Sequence, residues 1–126
     1  MSRKKIFIVD DEEEVLAALT KKLMADGYEA ITATCGKEAV RKVQATMPDL
    51  ILVDIVLPDI DGSEVVRIIQ QDPKTRAIPI VFLSGIVSAD DKGQKPEVKV
   101  GGWNYPAVGK PFPYEELMKI IKSYLN

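Results

Sequence analysis

Apolar residues along this chain follow two alternating rhythms. Short β-branched runs occur at "KIFIV" (5–9), "EAITA" (29–33), "LILV" (50–53) and "IPIVFL" (78–83). Runs of this length and composition predict strands. Between them the apolar positions recur three and four apart, which predicts amphipathic helices. Val15, Leu16, Leu19 and Leu23 form one such face, followed by Gly27 where a C-terminal cap would sit. Ala39, Val40, Val43 and Met47 form a second, closed by Pro48. Val65, Val66 and Ile69 form a third, closed by Pro73. Leu117, Ile120, Ile121 and Tyr124 form a fourth, with Pro113 suited to its first turn.

The tract 86–103 is less regular, because Gly93, Pro96, Gly101 and Gly102 interrupt any long helix. A short helix near 88–95 is predicted there, then a fifth strand near "YPAVG" (105–109). Pro106 has no N–H to give a ladder, so that strand is expected at a sheet edge. Five strands alternating with helices predict an α/β domain, a five-stranded parallel sheet with helices on both faces. In such folds the ligand site lies outside the carboxyl ends of the strands. Asp10, Asp11, Asp54, Ser84 and Lys110 each end a predicted strand and should converge on one edge.

Composition narrows the function. A chain of 126 residues is expected to be one domain, 1–126, with no output domain in it. Its net charge of -2 argues against a direct nucleic-acid partner. No run is long enough to span a bilayer and no signal-peptide pattern opens the chain, so a cytoplasmic protein without membrane insertion is expected. With one cysteine and no histidine there is neither an internal disulfide nor a Cys/His metal site.

Carboxylates gathered at strand ends call for a cation. Mg²⁺ takes oxygen ligands, commonly one or two carboxylates with waters and a phosphate. A carboxylate can also attack phosphorus and form an aspartyl phosphate. Lys110 would supply positive charge to the phosphoryl oxygens, Ser84 a hydroxyl donor, and Gly85 free space. Together these residues predict metal-assisted phosphoryl transfer onto a side chain. Glu12, Glu13 and Glu14 suit the first turn of helix 1, where negative charge is favoured. Asp59, Asp61 and Gly62 suit the turn and cap that open helix 3.

The motifs "VDDE" after strand 1, "LVDIVLPDIDG" around strand 3, "LSG" after strand 4 and "GKPF" after strand 5 resemble the receiver domains of two-component response regulators. The resemblance implies a doubly wound, flavodoxin-like sheet of order 2-1-3-4-5. It implies Asp54 as phosphoacceptor, with Asp10, Asp11, Asp54 and the Val56 backbone carbonyl around Mg²⁺. Ser84 becomes the hydroxyl switch and Lys110 the phosphate-sensing lysine, followed by a cis Lys110–Pro111 bond. A sensor histidine kinase or phosphotransfer protein would donate the phosphoryl group. A downstream protein would read the 86–126 face, and the domain itself would not be an enzyme. Val56 and Ile86 would flank the path of the attacking water; both are apolar, so slow loss of the phosphoryl group is expected. The strand-5 position that often carries an aromatic in the family is Ala107, so 86–103 is expected to move instead.

Two other readings share parts of this pattern. A Mg²⁺-dependent phosphatase with an aspartyl-phosphate intermediate needs a second acid two residues after the nucleophile, and Val56 stands there. A flavodoxin-like cofactor binder needs a loop rich in Ser, Thr and Gly after strand 1, and this loop is acidic.

Overall fold

In a computed structural model, the described residues are 3–85 and 97–125. Strands β1 (Lys5–Val9), β2 (Glu29–Ala33), β3 (Leu50–Asp54) and β4 (Ile80–Ser84) fall where the apolar runs predict them. Helices α1 (Glu13–Ala25), α2 (Gly36–Thr46) and α3 (Gly62–Gln71) alternate with them, and α4 (Tyr114–Leu125) closes the chain. None of the described helices is long and apolar enough to cross a membrane.

The sheet departs from the expected five strands. Among the described residues it has six, in the order β2-β1-β3-β4-β6-β5. The additional strand is β5 (Glu97–Val100), which pairs antiparallel with β6 (Trp103–Gly109). Gly101 and Gly102 join them at φ +57 and +84. A two-residue hairpin turn of this hand requires positive φ at both positions, which glycine adopts without steric cost. The predicted helix near 88–95 lies outside the described residues.

Pro106 is therefore not on an edge strand. It stands opposite Glu97, while pairing with β4 begins one residue later, at Phe82–Ala107. The ring thus falls just outside the parallel ladder. The rest of the order, β2-β1-β3-β4 and then the Gly109 strand, agrees with the expected doubly wound arrangement.

Alternation along the strands divides the core in two. Phe7, Val9, Ile51, Val53, Ile80 and Phe82 face α2 and α3. Ile6, Ile8, Leu50, Leu52, Val81 and Leu83 face α1 and α4. Each fully buried side chain of this size contributes roughly 1.5–3 kcal/mol relative to exposure. Central strands buried on both faces explain the near-continuous apolar runs. Two positions assigned to helix faces behave otherwise. Met47 is exposed at the left-handed C-cap of α2, and Tyr124 is exposed where Met118 is buried instead.

Candidate functional site

The parallel strands end together, so residues remote in sequence meet. Asp10 follows β1 and is fully buried, its N–H bonded to the Ala33 carbonyl. Asp54 ends β3 and is also buried. Lys110 follows β6, and its N–H donates to the Ser84 carbonyl at 2.7 Å. The Lys110–Pro111 bond is cis, as expected.

Lys110 lies at the centre. Its Nζ donates to Asp10 Oδ2 at 2.5 Å, Asp54 Oδ2 at 2.9 Å and Glu12 Oε1 at 3.2 Å. Burial opposes its charge, yet the hydrogen bonds to Asp10 and Asp54 win and hold the ammonium well above the ordinary lysine range. Burial likewise pushes the Asp10 carboxyl up, and Lys110 and the Glu12 N–H only partly offset it. The other Asp10 oxygen, Oδ1, accepts that N–H at 2.9 Å. Asp54 Oδ1 accepts the Val56 N–H at 3.2 Å.

Asp10, Asp11, Glu12 and Asp54 each offer a carboxylate oxygen, all within 4.8 Å of one another. Four carboxylates thus cluster here, and the Lys110 ammonium bonds three of them. A small hard cation with oxygen preference fits this donor set. Glu12 was expected in the first helical turn. It precedes α1 as the N-cap residue, its carbonyl accepting from Val15 and Leu16, and its carboxylate reaches Lys110. Glu13 and Glu14 occupy the first turn as expected.

Ser84 is buried at the end of β4, on the same sheet edge. Val56 is 58% exposed, so its side chain stands at the mouth of the site and not in the core. Ile86 lies outside the described residues. Ala107 is buried in β6, and Tyr105, two residues upstream, packs edge-on against Phe82 at 6.0 Å. Beside Lys110 opens a groove of about 390 Å³. Val15, Leu19, Phe112 and Tyr114 make much of its apolar wall.

Two contributors were missed in the sequence. Asp59 does not cap α3. Its carboxylate accepts the N–H groups of Gly36 and Lys37 and so caps α2 from the β3–α3 loop. Gly62 does open α3, but its importance is space against the Asp54 backbone. The signal for the first was the long-range fold alone. For the second it was the glycine that follows Asp61 at the start of an apolar helical face.

Residues 6–122 match the family described as "Response regulator receiver domain". The chain is 37% identical over 123 residues to the alkaline phosphatase synthesis transcriptional regulatory protein PhoP of Bacillus subtilis. That match takes in 98% of this chain and 49% of PhoP, so the chain spans about half that relative's length. It is 33% identical over 123 residues to the polar-differentiation response regulator DivK of Brucella ovis, covering 98% of this chain and 97% of DivK. Among solved structures, chemotaxis protein CheY4 of Vibrio cholerae superposes with a TM-score of 0.82 at 27% identity. That superposition covers 98% of this chain and 99% of CheY4.

Proposed function

The chain belongs to the response regulator receiver domain family, and on that premise we propose that Asp54 is its phosphoacceptor. Receiver domains are phosphorylation-dependent switches rather than turnover enzymes, and neither the phosphatase nor the flavodoxin-like reading finds support. The observation that carries the assignment is the Lys110 ammonium bonded at once to Asp10 and Asp54. A positive charge thus stands beside Asp54, the buried carboxylate that ends β3 between β1 and β4.

In this reading an Asp54 oxygen attacks phosphorus and forms an O–P bond. The bond to the donor's nitrogen breaks, and the leaving imidazole keeps its electron pair. Asp10, Asp11, Asp54 and the Val56 carbonyl would hold Mg²⁺, which neutralises phosphoryl oxygens when bound. Lys110 exchanges a carboxylate partner for a phosphoryl oxygen. Ser84, on the neighbouring strand end, turns toward the same group and transmits its arrival. Val56, apolar and exposed, cannot orient an attacking water, which supports slow loss of the phosphoryl group.

A sensor histidine kinase or phosphotransfer protein is the proposed donor, and the apolar groove beside Lys110 would be its seat. A downstream protein would read the 86–126 face, where Trp103 and Tyr124 are exposed. Incubation with acetyl phosphate and Mg²⁺, followed by intact mass, tests the acceptor. The chain should gain one phosphoryl group and Asp54→Asn none. An equal gain in Asp54→Asn would remove the assignment.

A further inference from the structure

We propose that β5 is a self-recognition edge through which two copies of this chain join their sheets. This does not rest on phosphorylation or on the acceptor assignment. Among the described residues β5 ends the sheet, with β6 on one side and no strand on the other. Its register with β6 runs unbroken from Glu97 to Val100, with no bulge and no proline in the strand. Bulges and prolines are two of the usual devices that blunt an edge, and this four-residue strand has neither, so its short length and its charges are what limit pairing.

A single charged residue can also protect an edge, and Lys99 is exposed on β5. Glu97, two residues away, cancels that protection in one specific pairing. Residues two apart on a strand share a face. If β5 pairs antiparallel with a second copy and Val98 lies on the two-fold axis, Glu97 stands opposite the partner's Lys99. By the same symmetry Lys99 stands opposite the partner's Glu97. Both cross-strand pairs are then of opposite charge, on one face, and isologous as a two-fold interface requires. A one-residue slip breaks both, so the charges also select the register.

The opposite edge of the sheet has no such property. β2 reads "EAITA", and antiparallel self-pairing about Ile31 sets Glu29 against Ala33. In addition, the Thr32 carbonyl already accepts the Lys42 ammonium at 2.9 Å. Self-complementarity therefore distinguishes β5, and it favours a second copy over an extended segment of an unrelated protein.

Sedimentation velocity over a concentration series tests this on the whole chain. The natural sequence should self-associate. Glu97→Lys and Lys99→Glu each set like charges opposite one another twice and should weaken association at least about tenfold. An equimolar mixture of the two variants restores both opposite-charge pairs, and it should form heterodimers about as tightly as the natural chain forms homodimers. The doubly swapped chain should also recover self-association. Both positions are exposed, so melting temperatures should stay close to that of the natural chain. A natural chain monomeric throughout, a Glu97→Lys chain that associates equally well, or a mixture no tighter than its components would each overturn the proposal.

Discussion

Gly62 lies directly against the backbone of Asp54: a Cβ placed on Gly62 would stand 2.0 Å from the Asp54 carbonyl oxygen. The Gly62 N–H also bonds the Ile55 carbonyl at 2.7 Å. The start of α3 is thereby packed onto the strand end that carries the acceptor. Gly62→Ala must push either the helix or Asp54 away, at a cost of about 1–3 kcal/mol. We expect a lower urea midpoint together with slower phosphoryl uptake from acetyl phosphate. An unchanged midpoint and rate would show that this approach is not needed to position Asp54.

Lys110 occupies the carboxylate cluster as an internal cation, so it should compete with Mg²⁺. An ammonium about 4 Å from a divalent ion repels it by roughly 2 kcal/mol even in water. Lys110→Gln should therefore bind Mg²⁺ about thirtyfold more tightly by isothermal titration. In the natural chain Mg²⁺ should raise the melting temperature, because it binds the folded site. That gain should largely disappear in Asp11→Asn. A full Mg²⁺-dependent gain in Asp11→Asn would remove Asp11 from the metal site.

The hydrogen bonds from the Lys37 and Gly36 N–H groups hold the Asp59 carboxyl well below the usual carboxylate range. A depressed folded pKa means that its stabilisation is complete above the unfolded value, near about pH 3.9, and is lost as pH falls through the folded one. Asp59→Asn keeps an acceptor but removes the charge. The melting temperature of the natural chain should fall more steeply than that of Asp59→Asn below about pH 4. Parallel acid limbs would mean that Asp59 does not hold α2 by its charge.

Gln70 on α3 ties down the β5–β6 hairpin. Its side-chain N–H groups donate to the Val100 carbonyl at 3.0 Å and to the Tyr105 hydroxyl. Gln70→Ala frees both acceptors, each bond being worth about 1 kcal/mol. Amide exchange should quicken across 97–105 by about tenfold or more, with β1 and β3 unchanged. Exchange that stays slow in the hairpin would assign its order to apolar packing of Tyr105 on Phe82. The same measurement with a phosphoryl mimic tests whether 97–103 responds to the site.

Periodicity alone identified β1 to β4 and all four described helices, because burial repeats every second residue in a strand and every third or fourth in a helix. The parallel order of strand ends then puts Asp10, Asp54, Ser84 and Lys110 at one edge from the sequence alone. Their convergence follows from topology, which the alternation of elements implies. The β5–β6 hairpin is legible in "VKVGGWNY", where two glycines sit between short β-type runs, but the same glycines equally suit the interruption of a helix. Only the tertiary structure decided the rest. Asp59 caps a helix 23 residues earlier, Gly62 abuts a backbone carbonyl, and Lys110 gathers three carboxylates across 100 residues. Such contacts are set by which surfaces pack against each other, and a local pattern of apolar and polar residues carries no record of a partner so far away. Pro106 shows the same limit. The missing N–H is a fact of the sequence, but whether it faces a ladder depends on where the neighbouring strand begins.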